Sequence, residues 1–216
     1  ASVQEMADFV GIAFDLAFKS RNPAIILADG VIGQMMEKVV LPEQRTRLTD
    51  EEVIARCPWA TTGRTHHRTP NIITSLELDP AEMEKRNIHL QKKYAEIEEN
   101  EVRFEELHCE DAEYLIVAFG SCARIAQKAM EIAREEGIKV GLLRPITLWP
   151  FPSKAIAARA AQVKGILTVE LNAGQMVEDV RLAVECKVPV EHFGRLGGIV
   201  PDPDEVITAL KEKLIK

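Results

Sequence analysis

The nine residues Arg144–Pro152 (RPITLWPFP) constrain this chain more than any other stretch. They place three prolines, a tryptophan and a phenylalanine between an apolar run, Ile138–Leu143, and an alanine-rich run, Ala155–Ala161. Proline fixes φ and removes a backbone donor, so the segment is expected to extend neither the strand before it nor the helix after it. It reads as a stiff apolar connection at a sheet edge, a surface better suited to docking than to chemistry. A function that depends on a neighbouring domain or subunit follows from that reading.

On both sides of this loop the last hundred residues alternate between strand and helix signals. Tyr114–Phe119, Ile138–Leu143, Gly165–Leu171 and Val188–Phe193 are apolar runs of strand length. Between them lie helical periodicities: Ile125, Ala129, Ile132 and Ala133, then Ala155–Ala161, then Val177, Val180 and Val184. Gly137 has the place of a helix-ending glycine. Asp202-Pro203-Asp204-Glu205 has the cap, proline and glutamate order that opens a final helix through Leu214. Apolar strands alternating with helices specify a parallel sheet with right-handed crossovers.

The beginning reads differently. Ser2 and Glu5 have capping-box spacing, Met6, Phe9, Ala13 and Leu16 repeat at helical spacing, and Arg21-Asn22-Pro23 stops the helix. Ala24–Ala28 reads as a buried strand ending at Asp29-Gly30. One helix and one strand cannot cover a sheet, so residues 1–42 read as the tail of a larger α/β domain whose front part lies outside the chain. Residues 43–111 read as a polar linker. It holds a strand at Asn71–Leu76 and a long charged helix from Asp79-Pro80 to about Phe104. Residues 112–216 form the third region.

The bulk numbers narrow the function. With 216 residues, 46% hydrophobic and 28% charged, the chain has the composition of a globular protein. A net charge of −7 argues against a nucleic-acid partner. No apolar run approaches the ~20 residues needed to span a bilayer, so no membrane association is expected. Absence of a secretory signal pattern makes the cytoplasm the expected location. Cys57, Cys109, Cys122 and Cys186 are scattered, which predicts free thiols rather than a zinc or iron–sulfur site.

Candidate sites cluster at strand ends. Asp29–Glu37 follows the first strand, where ligands of open α/β sheets bind. Gly30 and Gly33 would let a ligand or partner approach the backbone and Gln34 could hydrogen-bond it. Asp29 itself is expected to cap a local turn; a magnesium role would require more oxygen ligands than the neighbourhood offers. Ser121 is expected to be the N-cap of the helix it opens, and Cys122, with no histidine partner, is no nucleophile. Glu170-Leu171-Asn172-Ala173-Gly174-Gln175 ends a third strand, with Asn172 as a cap and Glu170 as a solvated strand end. Gly197 and Gly198, beside Arg195, suit positive φ. His66 and His67, flanked by Arg64 and Arg68, read as a solvated loop. His89, His108 and His192 lack metal-ligand spacing, and no catalytic residue can be assigned.

Taken in order, NPAIILADGVIGQMMEKV, then EYLIVAFGSCARIAQKAMEIAREEGIKVGLLRPITLWPFP, then TVELNAGQMVEDVRLAV and FGRLGG, resemble the α subunit of 2-oxoacid:ferredoxin oxidoreductases, in the 2-oxoisovalerate and 2-oxoglutarate branches. The resemblance covers nearly the whole chain. It implies an α/β fold: a parallel-sheet domain like the C-terminal domain of transketolases, preceded by the tail of a pyrimidine-binding domain for thiamine diphosphate. It implies oxidative decarboxylation of a 2-oxoacid with coenzyme A, giving an acyl-CoA, carbon dioxide and reduced ferredoxin. Thiamine diphosphate would supply the carbanion chemistry, with its magnesium mostly on a β subunit and iron–sulfur clusters on other subunits. None of these would be bound by this fragment alone. The expected assembly is a hetero-oligomer with a β subunit and an iron–sulfur subunit. Here the fragment, inactive alone, contributes Arg144, Trp149, Phe151, Asn172, Gln175 and Asp179 to interfaces. Two other readings stay open on the residues: the C-terminal domain of a transketolase or 2-oxoacid dehydrogenase E1-type enzyme, and a non-catalytic CoA- or nucleotide-binding module.

Overall fold

The computed structural model describes residues 1–61 and 70–215; the pair His66 and His67 and the flanking Arg64 and Arg68 lie outside them. The chain divides into two compact units, residues 1–40 with 93–216, and residues 41–92.

The first unit is built on a five-stranded sheet. Its strands are β1 (Phe104–Leu107), β2 (Tyr114–Ala118), β3 (Val140–Pro145), β4 (Gly165–Glu170) and β5 (Val190–Gly194), in the order β1-β3-β2-β4-β5. β2 to β5 run parallel, with β2 central against β3 and β4. Four helices cross over or close the sheet: α5 (Gly120–Glu135), α6 (Ser153–Ala160), α7 (Met176–Val184) and α8 (Pro203–Leu210), the last continued by a π-helical turn, Lys211–Ile215. Side chains alternate across each strand. Ile116, Ala118, Leu142, Leu167 and Val169 face the layer of α5 and α8. Leu115, Val117, Leu143 and Ile166 face the layer of α6 and α7. Runs such as ILTVE are apolar throughout because helices cover both faces, and all six residues of β4 are buried.

The structure departs from the sequence reading at several points. β1 lies inside the stretch read as the end of the charged helix; that helix, α4, runs Pro80–Asn100. Phe104 then pairs antiparallel with Pro145 and Leu107 with Leu142, adding an edge strand to the four expected parallel ones. Consequently Arg144 and Pro145 belong to strand β3, and the irregular loop begins at Ile146. The missing donor of Pro145 falls at the strand's end, where it removes little from the ladder. Beyond it, Ile146 and Thr147 N–H both donate to the Arg103 carbonyl, at 2.9 and 3.1 Å, and Thr147 Oγ1 donates to the Pro150 carbonyl at 2.7 Å. The Trp149–Pro150 peptide is cis.

Residues 1–40 contain α1 (Val3–Ser20), capped by Ser2 and ended by Arg21 in the left-handed region, and a short helix α2 (Gly30–Gln34). Ala24–Ala28 is not a strand: it is irregular, with Ile25 81% and Leu27 70% exposed. Its apolar pattern lacks a neighbouring strand among the described residues, and a strand exists only as a hydrogen-bonded member of a sheet.

In the second unit, α3 (Asp50–Arg56) starts with a reciprocal capping box between Thr49 and Glu52. Asp79 Oδ1 accepts from Ala81 and Glu82 N–H at 2.8 and 3.1 Å, starting α4 as its Asp-Pro sequence predicts. The strand expected at Asn71–Leu76 is irregular. Asn71 instead donates its side-chain amide to the carbonyls of Pro58 and Ala60.

The edge strand is fastened to the layer below it. Arg159 of α6 pairs with Glu106 of β1 through two hydrogen bonds of 2.8 and 2.6 Å. The guanidinium holds the Glu106 carboxyl below the usual carboxylate range. A depressed folded-state pKa adds stability that is present above the ordinary carboxylate pKa and lost as pH falls through the folded one. Glu106→Gln is therefore expected to lower stability at pH 7 and to flatten its fall below about pH 4. Urea unfolding at several pH values checks this; an unchanged acid slope would contradict it.

Candidate functional site

In the order β3-β2-β4 the chain leaves β2 for a strand on one side and later returns to a strand on the other. Open α/β sheets form their ligand crevice at such a switch point, outside the carboxyl ends of the strands. Here those ends are Phe119-Gly120-Ser121 after β2 and Glu170–Gln175 after β4, each followed by a helix N-terminus.

Both N-termini are occupied by carboxylates of the chain itself. The N-cap of α5 is Phe119, not Ser121, and Phe119 has no side-chain acceptor to offer. Asp29, 92 residues away in sequence, provides it: Oδ2 accepts from Ser121 N–H at 3.1 Å and from Ser121 Oγ at 2.7 Å. The other oxygen, Oδ1, accepts from Ile32 N–H at 2.8 Å and caps α2. Burial raises the Asp29 carboxyl, but these hydrogen bonds from Ile32 and Ser121 outweigh it and hold the group below its usual range. The local cap foreseen for Asp29 is thus present, joined by a long-range one.

Glu170 does the same for α7. Far from being solvated, its side chain is fully buried. It accepts from the N–H groups of Gln175, Met176 and Val177 at 3.2, 2.8 and 3.0 Å. His192 Nδ1 lies 3.4 Å from Glu170 Oε1 and 3.3 Å from Thr168 Oγ1. Asn172 accepts from Gly174 N–H at 2.7 Å, which shapes the turn but does not cap the helix. Gly194 closes this corner: a Cβ there would sit 2.2 Å from the Asn172 carbonyl oxygen and 2.6 Å from His192 Nε2.

Cys122 feels both carboxylates. Burial, and then the charges of Asp29 and Glu170, push its thiol up to about 12; burial and Glu106 push Cys109 up to about 11. Neither forms thiolate at neutral pH, so neither is a nucleophile. Among the described residues no group of three or more His, Cys, Asp or Glu side chains could hold a metal ion.

The remaining candidates spread around this edge. Gly30 and Gly33 lie in α2, where an added Cβ would meet nothing within 4 Å, and Gln34 beside them is exposed. Arg144 faces inward. Its guanidinium makes a bidentate pair with Glu5 of α1, at 3.0 and 2.8 Å, and its Nε donates to Glu105 at 2.8 Å. Trp149 is 54% exposed and meets Tyr94 edge-on, with ring centroids 5.9 Å apart. Phe151 packs against the layer of α6 and α7. Gln175 precedes α7, and Asp179 lies exposed on its first turns. Gly197 and Gly198 have φ of +66° and +85°. Sequence reasoning missed the Asp29–Ser121 and Glu5–Arg144 contacts. One signal was available for the first: an apolar residue at an N-cap position requires an acceptor from elsewhere.

The fold and this edge define a class: a doubly wound α/β domain with a mostly parallel sheet, joined to an N-terminal segment at its switch point. The family model described as "Pyruvate flavodoxin/ferredoxin oxidoreductase, thiamine diP-bdg" matches residues 1–108, half of the chain. "Pyruvate:ferredoxin oxidoreductase core domain II" matches residues 112–206. The chain belongs to the pyruvate flavodoxin/ferredoxin oxidoreductase family. It is 45% identical over 211 residues to the ketoisovalerate oxidoreductase subunit VorB of Methanothermobacter marburgensis, covering 98% of this chain and 58% of that one. It is 32% identical over 205 residues to the 2-oxoglutarate synthase subunit KorA of Archaeoglobus fulgidus, covering 94% and 57%. The structure of 2-oxoglutarate:ferredoxin oxidoreductase from Magnetococcus marinus aligns with a TM-score of 0.56 at 25% identity, over 63% of this chain and 24% of that one. The chain thus spans somewhat over half the length of the curated relatives it matches.

Two outcomes test this edge. Glu170→Ala leaves three N–H groups, two of them buried, without an acceptor and is expected to cost about 3 kcal/mol or more in urea unfolding; a loss below 1 kcal/mol would contradict the capping role. Exposed Cys186 is expected to react with a thiol reagent at pH 8 in the native protein, while buried Cys109 and Cys122 react only on unfolding. Mass spectrometry of the labelled peptides distinguishes the two.

Proposed function

We propose that this chain is part of the α subunit of a 2-oxoacid:ferredoxin oxidoreductase acting on a branched-chain 2-oxoacid. The reaction converts a 2-oxoacid and coenzyme A to an acyl-CoA and carbon dioxide, and passes two electrons to two ferredoxins. One observation carries this reading: similarity runs end to end, with 45% identity to a ketoisovalerate oxidoreductase subunit over 98% of the chain, against 32% to a 2-oxoglutarate synthase subunit.

The residues fit a supporting role. Both helix N-termini at the switch point are filled by Asp29 and Glu170, which speaks against a CoA- or nucleotide-binding module centred there. Thiamine diphosphate, when bound, supplies the carbanion chemistry. The turn Gly30–Gln34 suits one wall of its site: the backbone at Gly30 and Gly33 is open, and Leu27, Val31 and Met36 expose apolar surface beside it. Its magnesium is assigned to a β subunit and the iron–sulfur clusters to other subunits. On α1, Val10, Phe14 and Phe18 expose one apolar stripe at four-residue spacing, which supports coverage of this face by other parts of the enzyme. Trp149, Asn172, Gln175 and Asp179 border the neighbouring edge and are assigned to subunit contacts. Among the described residues no helix is long and apolar enough to cross a membrane, and a reducing cytoplasmic setting suits the free thiols.

The test is anaerobic, CoA-dependent reduction of a viologen dye by the complete protein assembled with its partner subunits. A branched-chain 2-oxoacid is expected to be turned over at least tenfold faster, by kcat/KM, than 2-oxoglutarate. An assembly loaded with thiamine diphosphate and clusters that reduces no dye would overturn the proposal.

A further inference from the structure

Residues 1–40 are held to the sheet domain almost entirely by polar contacts. No residue of α1 is buried, and within residues 1–40 the only buried side chain is Ile32. The contacts between side chains are Glu5 with Arg144, Lys19 with Glu101, Asn22 with Lys93, Glu37 with Arg124 and Asp29 with Ser121. Three of the five hang on the exposed or half-exposed long side chains of Lys19, Lys93 and Arg124, where an ion pair or hydrogen bond is worth little and fixes geometry loosely; the Glu5–Arg144 pair is bidentate and largely buried, but it ties α1 rather than the turn that follows Asp29. The fifth differs in kind. Asp29 is a short side chain on a partly buried backbone, and its two oxygens together accept three hydrogen bonds. They bridge the first turn of α2 to the first turn of α5, where the helix dipole favours a negative charge. The sequence keeps room for it: a Cβ at position 120 would lie 3.2 Å from Asp29 Oδ2, and that position is a glycine with φ of +58°.

We propose that Asp29 is a positioning residue, the pin that fixes the turn Gly30–Gln34 on the N-terminus of α5 and so aims it at the cofactor. This rests on the reading of that turn as one wall of the thiamine diphosphate site. Asp29 does not touch the cofactor; both its oxygens are engaged within the chain. Its effect is to keep the turn in one conformation, so that affinity is not reduced by the fraction of time the turn spends elsewhere.

The experiment uses the complete protein in its assembly with partner subunits. Asp29→Asn removes the charge with little change of shape, and Ser121→Ala removes the hydroxyl donor from the other side. Two quantities are read: amide hydrogen exchange across residues 28–36, and the Kd for thiamine diphosphate by calorimetry. Asp29→Asn is expected to speed exchange roughly tenfold, the value of a charge-assisted hydrogen bond, and to weaken cofactor binding roughly fivefold, with the unfolding midpoint of the sheet domain unchanged. Ser121→Ala is expected to move both readings in the same direction by less, and the double variant to match Asp29→Asn, because the two residues act through one contact. Unchanged exchange in Asp29→Asn would overturn the pin. Faster exchange with unchanged cofactor affinity would overturn its positioning role. Weaker cofactor binding in Asp29→Asn with no effect of Ser121→Ala would make Asp29 a direct cofactor contact instead, which also overturns it. If the wild-type assembly binds no thiamine diphosphate, the functional reading of the turn fails, and the exchange data still decide whether the pin exists.

Discussion

A carboxylate on a helix N-terminus is the interaction on which this structure turns, and it is used twice at one edge of the sheet. An α/β sheet leaves the first N–H groups of its crossover helices at the carboxyl ends of its strands without partners. In many such folds a ligand's anion satisfies them. Here Asp29 satisfies α5 and Glu170 satisfies α7. At these two helix ends the crevice that the topology creates is filled by the chain's own carboxylates, and Cys122, which feels both charges, is left a neutral thiol.

The two carboxylates differ in what they join. Glu170 is buried within the sheet domain, and its three backbone donors follow it by only five to seven residues, so it stabilises one loop and one helix. Asp29 reaches across from the N-terminal segment to a helix that starts 91 residues later. The joint it belongs to has almost no apolar core, unlike the sheet domain, where both faces of the strands are covered. The opposite side of the same segment carries the exposed apolar stripe of α1, so the segment sits between a polar contact inside the chain and an apolar surface facing outward.

Much of the sheet domain was legible in the sequence, because apolar strands buried on both faces and amphipathic helices leave periodic signals. Asp202-Pro203-Asp204-Glu205 opened its helix with a capping box as written. What stayed illegible depended on contacts between distant residues. β1 was hidden inside a charged stretch, because a four-residue edge strand carrying FEEL has too short a pattern to separate from the end of a helix. Ala24–Ala28 has the composition of a strand, yet composition cannot provide the neighbour that a strand requires. Glu170 looked solvated because charge predicts exposure; its burial depends on three backbone donors that the folded turn brings to it. Ser121 looked like a cap because its type and place fit. Its hydroxyl instead donates to Asp29, a partner no local rule connects to it. The family itself was legible from the order of the motifs along the chain.

On the reading proposed above, the turn Gly30–Gln34, pinned by Asp29 on α5, forms one wall of a thiamine diphosphate site completed by other parts of the enzyme. The most direct measurement is an electron cryo-microscopy structure of the complete assembly with the cofactor bound. The expected result is the cofactor within contact distance of Gly30 or Gly33, with the Asp29–Ser121 hydrogen bonds intact behind them. A cofactor bound more than 10 Å from this turn, or a turn detached from α5 in the loaded enzyme, would contradict it.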